Sequence, residues 1–176
     1  MEAKKITYKE ANAKLIKLYK TSFPKRERVK FKDLFRGRFQ DFDFFTFYEN
    51  NELIGLLHLY DGKDFVHLNY LAVNPKCRCK GYGSQIMSWA KDRFANKPIV
   101  LDVEMEDENS DNNEQRIRRI KFYKKNGFQT GKYGFSWEGM EMHYMYMGNL
   151  PHEQFMEYIQ VIFPTIINVR PMEGQL

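Results

Sequence analysis

With 176 residues and 43% hydrophobic content, the chain has the length of one domain and enough apolar material for a full core. No run approaches the roughly 20 apolar residues that a spanning helix needs, and no secretory-type segment opens the sequence, so a cytoplasmic protein with no membrane partner is expected. The formal net charge of +5 includes a basic stretch at Lys25, Arg26, Arg28, Lys30 and Lys32, which reads as a solvated face; no dedicated nucleic-acid module is recognisable and no such partner is expected.

Residues 5–8 read as a short opening strand. Residues 10–23 carry Ala11, Leu15, Leu18 and Tyr19 at helical spacing, and Pro24 stops that run. A second helix is predicted over residues 28–39, with Val29, Phe31, Leu34 and Phe35 inward. Residues 42–48 and 52–60 are strands joined at Glu49-Asn50-Asn51, whose asparagines tolerate a tight turn. Asp61-Gly62-Lys63 then turns the chain into a strand over residues 65–73. Residues 84–94 place Ile86, Met87, Ala90 and Phe94 on one face, as for a helix packed on a sheet. A strand is predicted at 99–105 behind Pro98, an acidic and Asn-rich loop at 107–114, and a helix at 115–125 ended by a left-handed cap at Asn126-Gly127. Residues 128–135 and 140–147 read as a closing antiparallel pair. The pattern is a mixed α/β domain over residues 1–149, followed by a helix and tail at 150–176 that dock on the domain or on a second copy, so a monomer or a homodimer is expected.

The segment from Val66 to Met87 carries the clearest chemistry. A strand-like run ending in Leu71-Ala72-Val73 meets Asn74-Pro75, then a loop of basic residues and glycines, then the helix. A helix start leaves several N–H groups without intrahelical partners and adds positive potential from the aligned peptide dipoles. Gly81 and Gly83 let an anion reach the backbone, and Arg78 and Lys80 supply charge, so a pyrophosphate is the natural guest. The spacing matches neither Gly-x-x-x-x-Gly-Lys-Ser/Thr nor Gly-x-Gly-x-x-Gly, because Ile86 stands where the latter needs its third glycine. Cys77 and Cys79 stand one residue apart in this loop, a spacing that suits neither a structural disulfide nor a zinc site. They read as two small loop residues in a reduced setting, and no metal is expected.

What remains is Arg-x-x-Gly-x-Gly at Arg78, Gly81 and Gly83, which resembles the acetyl-coenzyme A loop of the GNAT superfamily of N-acetyltransferases. The helix ending in Tyr123-Lys124-Lys125-Asn126-Gly127-Phe128 resembles that family's second signature, Tyr-x-x-x-Gly-Phe. The resemblance covers residues 50–147 well, the first fifty in outline, and not the tail. It implies a mixed, mostly antiparallel sheet flanked by helices and splayed between two parallel central strands. It also implies acetyl-CoA as cosubstrate, with its pantetheine arm at Leu71, Ala72 and Val73 and its phosphates at Arg78, Cys79, Lys80, Gly81, Tyr82, Gly83 and Ser84. A second basic stretch, at Arg116, Arg118, Arg119, Lys121, Lys124 and Lys125, lies on the helix before Gly127, and part of it is expected to face those phosphates.

Amide formation by direct attack needs a neutral amine, a polarised thioester carbonyl and a proton for the leaving thiolate. Tyr123, at the tyrosine position of the second signature, is the candidate acid, since a phenol can protonate a thiolate. Candidates for the base come from strand parity. His67 and Asn69 share one face of their strand, and Asp102 and Glu104 share one face of the next. The family places an acidic base at positions resembling His67 or Asp102; the chain departs from that pattern at His67, and His67, Asp102 and Glu104 stand level as candidates. A second departure is Arg116, where many relatives carry an asparagine. The implied activity is transfer of an acetyl group to a small amine, with a peptide or protein acetyltransferase, or a non-catalytic CoA-binding or basic interaction module, as the alternatives; an amine-bearing small molecule or peptide is the expected partner.

Overall fold

The computed structural model describes residues 1–172 in two compact units, one ending at Ala95 and one beginning at Asn96, the last four residues of the expected tail lying outside the described part. The first unit holds β1 (Glu2–Lys5), α1 (Ala13–Ser22), β2 (Phe42–Glu49), β3 (Glu52–Asp61), β4 (Val66–Val73) and α2 (Tyr82–Arg93). Its four strands form an antiparallel meander in chain order. The turn between β2 and β3 puts Asn50 and Asn51 at φ 49° and 63°, the two left-handed residues that a tight hairpin demands.

One face of the meander packs Phe44, Leu56, Tyr70 and Ala72 against Leu15, Leu18 and Tyr19 of α1. The helix opens at Asn12, whose side chain accepts from the Leu15 N–H at 3.0 Å. On α2, Trp89 meets Phe45 and Phe47 edge-on, with centroids 4.8 and 5.1 Å apart. Gly55 belongs where it is because a Cβ there would lie 2.6 Å from the Ala72 carbonyl oxygen and 2.9 Å from Ile86 Cδ1.

Two expectations fail in this unit. The opening strand ends at Lys5 instead of beginning there, because the Glu10 carboxylate accepts from Thr7 N–H at 2.8 Å and curls the chain away. The helix expected over residues 28–39 is a series of 3-10 turns at Lys25–Glu27, Phe31–Phe35 and Gly37–Phe39. Arg36 is fully extended and Gly37 has φ 59°, so no helix crosses that point. Backbone carbonyls that a helix would have used are taken by side chains: the Tyr19 hydroxyl donates to Val29 O at 3.1 Å and the Tyr70 hydroxyl to Glu27 O at 2.6 Å. Burying Phe31, Leu34 and Phe39 outweighs helical periodicity.

His58 sits at the centre of this aromatic face, 0% exposed, stacked on Phe42 at 5.0 Å. Its Nε2 lies 3.1 Å from the Leu34 carbonyl oxygen, which can only accept, so Nε2 carries the proton. Burial depresses its pKa from 6.5 to about 3. The unfolded chain therefore binds a proton that the folded chain refuses. The resulting stability is fully present above pH 6.5 and is lost as pH falls toward 3. His58→Gln is expected to flatten the rise of unfolding free energy between pH 4 and 6.5, measured by urea titration at several pH values. An unchanged slope would remove His58 as its source.

The second unit holds β5 (Ile99–Glu104), α3 (Asn113–Lys125), β6 (Gln129–Trp137), β7 (Met140–Met147), α4 (His152–Ile162) and β8 (Ile167–Pro171). β7 lies between β5 and β6, and β8 lies on the outer edge of β6, every pairing antiparallel. α3 ends as its sequence predicts, with Gly127 at φ 88° and the Phe128 N–H on Tyr123 O at 3.1 Å. Glu138 and Gly139, at φ 48° and 76°, make the turn between β6 and β7. The expected helix of the tail is α4, and past Pro164 the chain forms β8, short and interrupted by Asn168 at φ 54°. Together the units give the expected class, a mixed α/β fold with mostly antiparallel strands and flanking helices.

Candidate active site

β4 delivers the chain into the glycine loop. Asn74 ends the strand, donating from Nδ2 to Leu53 O at 2.9 Å and accepting at Oδ1 from the Lys76 N–H at 3.2 Å, and Pro75–Cys77 makes one 3-10 turn. Arg78 is extended, with its Nε donating back to Val73 O at 3.4 Å. Cys79 and Gly81 then take φ 60° and 83°. Gly81 is the residue before α2, and no side chain caps the helix there. A Cβ on Gly81 would meet nothing within 4 Å, so the glycine answers to backbone conformation and the space over the helix start is open. The first intrahelical bond runs from Gln85 N to Gly81 O at 3.1 Å, which leaves the N–H groups of Tyr82 and Gly83 without intrahelical acceptors. The Tyr82 hydroxyl donates to the Glu49 carboxylate, tying the first turn of α2 to the end of β2; that bond, with burial, holds the phenol pKa above its usual value.

The two cysteines part company. Cys77 is buried with its Sγ 3.8 Å from Glu52 Oε1, and burial with that carboxylate pushes its thiol up, so it is a poor nucleophile. Cys79 is exposed.

β4 is not a regular strand. Leu59 pairs with Leu68 and His58 with Tyr70, so Asn69 is the extra residue of a bulge. Its Nδ2 lies 3.0 Å from His58 Nδ1. His67 is fully buried in the same strand, and Leu71 and Val73 are half-buried on either side of buried Ala72.

In the second unit, α3 lies along the face of β5 that carries Asp102 and Glu104. Glu104, its side chain 1% exposed, meets Arg116 Nη2 at 3.1 Å and Arg119 Nη1 at 3.5 Å, and accepts from Asn112 Nδ2 at 3.3 Å. Arg116 also donates to Asn112 Oδ1 at 2.9 Å, Met105 O at 2.9 Å and Ser110 Oγ at 3.0 Å. The expectation that this basic stretch turns toward phosphates does not extend to Arg116 and Arg119, which point at Glu104 in their own unit. Arg118 pairs with Glu114 at 3.4 Å on the exposed side. One turn farther along α3, Tyr123 is buried between Phe122 and Phe128, with ring centroids 5.2 and 5.7 Å away. Burial pushes its phenol above the usual value and nearby Asp102 pushes the same way, against Arg119. Asp102 itself is half-buried. Asp102 and Tyr123 are thus brought together, and Glu104 is drawn into an ion network. Neither Asn69's bond to His58 nor the four-acceptor role of Arg116 was read from the sequence, although a histidine inside the apolar run of β3 was a signal for the first.

A profile of the family described as "Acetyltransferase (GNAT) domain" matches residues 40–130, just over half of the chain. The chain belongs to the GNAT acetyltransferase family. A putative GNAT-family acetyltransferase from Bacteroides thetaiotaomicron superposes with a TM-score of 0.75 at 25% identity, over 93% of this chain and 98% of that one. A Bacillus subtilis acetyltransferase solved in complex with CoA gives 0.58 at 18%, over 84% and 98%. The aminoglycoside 6'-N-acetyltransferase of Enterococcus faecium gives 0.59 at 14%, over 86% and 98%. No curated protein matches the sequence. The GNAT fold makes this chain an acyltransferase by class, and no helix among its described residues is long and apolar enough to cross a membrane.

Proposed function

We propose that the protein transfers an acetyl group from acetyl-CoA to an amine by direct attack in a ternary complex. The observation that carries this reading is the open, uncapped start of α2 behind the left-handed Gly81, flanked by Arg78 and Lys80. An anion there meets free N–H groups, a positive helix end and two cationic side chains. On this reading the residues from Arg78 to Ser84 hold the pyrophosphate, and Leu71, Ala72 and Val73 line the pantetheine arm. The amine nitrogen bonds to the thioester carbon and the C–S bond breaks. Asp102 takes the proton that the nitrogen sheds, and Tyr123 donates to the departing sulfur. Asp102 is preferred over Glu104, whose oxygens already serve Arg116, Arg119 and Asn112, and over the fully buried His67.

Acetyl-CoA and CoA are expected to raise the melting temperature, and ATP or NAD at equal concentration to do much less. Arg78→Ala should weaken CoA binding by about 1–3 kcal/mol, the worth of a charge-assisted hydrogen bond, read by calorimetry. A melting curve indifferent to millimolar CoA would end the assignment. Thiol release from acetyl-CoA, followed over a panel of amino acids, polyamines, aminoglycosides and peptides, then identifies the acceptor.

A further inference from the structure

The hydrogen bonds around His58 fix the orientation of Asn69. Because Nε2 of His58 must donate to Leu34 O, and burial keeps the ring neutral, its Nδ1 is a bare lone pair. The partner 3.0 Å away on Asn69 therefore has to be the NH2 group. A flipped amide would set its oxygen against that lone pair. The carboxamide is locked, and its Oδ1 is turned away from His58. No described residue donates to that Oδ1. Asn69 is half-buried and is the extra residue of the β4 bulge, two residues before Leu71. A bulge re-aims a side chain, and this one presents a fixed acceptor with no donor of its own.

We propose that Asn69 Oδ1 receives one N–H of the incoming amine and so makes the enzyme selective for primary amines. This rests on the reading that acetyl-CoA lies along β4. A primary amine brings two N–H bonds and one lone pair. With one N–H on Oδ1, the lone pair is aimed at the thioester carbon. As the C–N bond forms and the C–S bond breaks, nitrogen sheds its other proton to the base, and CoA leaves as the thiolate with a hydrogen bond from the acid on its sulfur. The N–H on Asn69 survives as the amide N–H of the product. A carboxamide oxygen is too weak a base to remove it. A secondary amine has a single N–H, which must leave, so nothing remains for Asn69 to hold. His58 acts through Asn69 as a positioning residue.

The test uses methoxyamine and N,O-dimethylhydroxylamine, a primary and secondary pair that are both neutral at pH 7 and carry no side chain to be recognised. Transfer from acetyl-CoA to each is followed by thiol release for the wild type, Asn69→Leu and Asn69→Ala. The wild type should favour methoxyamine. Both variants should lose roughly tenfold in kcat/KM for methoxyamine, the worth of one hydrogen bond, and keep their rate with the secondary amine. Acetyl-CoA affinity, measured separately, should stay within about twofold if the loss concerns a single hydrogen bond to the amine. A variant with normal acetyl-CoA affinity and the wild-type ratio between the two amines overturns the proposal alone. A wild type that binds acetyl-CoA and transfers to neither amine also overturns it and leaves the coenzyme site standing. A wild type that does not bind acetyl-CoA overturns both readings.

Discussion

Tyr123→Phe is expected to lower kcat by about 10²–10⁴ with CoA binding near normal, because it deletes a hydroxyl and keeps the ring. The ring is packed between Phe122 and Phe128, so phenylalanine fills the same space and stability should change little. The direction of the pKa shift sharpens the assignment. Burial holds the phenol above its ordinary value of 10, so it keeps its proton at every working pH. A thiol titrates near 8.5, and full transfer from such a phenol to a thiolate is uphill. Its contribution is therefore a hydrogen bond that strengthens as charge develops on sulfur, stronger in the transition state than in the ground state. Acetyl-CoA Kd should be nearly unchanged in Tyr123→Phe while kcat falls, and kcat should show no loss of the acid below pH 10. A Tyr123→Phe enzyme with wild-type kcat from pH 6 to 9 would leave the phenol as packing only. Asp102→Asn, tested beside it, should lose most at low pH and recover as the acceptor amine deprotonates unaided.

The regular parts of this fold follow from local signals that agree with one another. Asn50-Asn51, Gly127 and Glu138-Gly139 supply the left-handed residues their turns use, and the strands between them keep the expected bounds within a residue or two. Residues 28–39 depart from their helical spacing because Tyr19 and Tyr70 capture carbonyls a helix needs, which apolar spacing alone does not show. The glycine loop was legible since its demand is conformational: Gly81 at φ 83° before a helix is a backbone requirement written in residue type. Strand parity found the polar residues of β4 and β5 and could not rank them. A bulge at Asn69 and guanidinium groups converging on Glu104 depend on partners distant in sequence.

Arg116→Ala is expected to destabilise the fold by about 2–4 kcal/mol, below the full cost of breaking a buried ion pair because Arg119 still faces Glu104. Four acceptors lose Arg116 at once, the Glu104 carboxylate, Asn112 Oδ1, Ser110 Oγ and Met105 O, while Glu104 keeps Arg119 and the Asn112 amide, and Asn112 Oδ1 keeps the Ser110 hydroxyl. Three of those belong to the chain between β5 and α3, so the substitution releases that loop as well as the ion pair. The urea midpoint should fall with an unchanged m-value. Glu104→Gln separates structure from catalysis at the same place. If Glu104 is a structural anchor, the glutamine variant loses stability, and the molecules that stay folded turn over at the wild-type rate. If Glu104 is the base, kcat falls steeply and stability hardly moves, because a base must be able to take up a proton without unfolding its surroundings. The geometry favours the anchor. A double-mutant cycle of Arg116→Ala with Glu104→Gln should then return a coupling energy of about 1–3 kcal/mol, whereas two independent residues would add to within a few tenths. Additive losses, or a Glu104→Gln enzyme that is stable and inactive, would move the base from Asp102 to Glu104 and assign Arg116 and Arg119 to holding its charge.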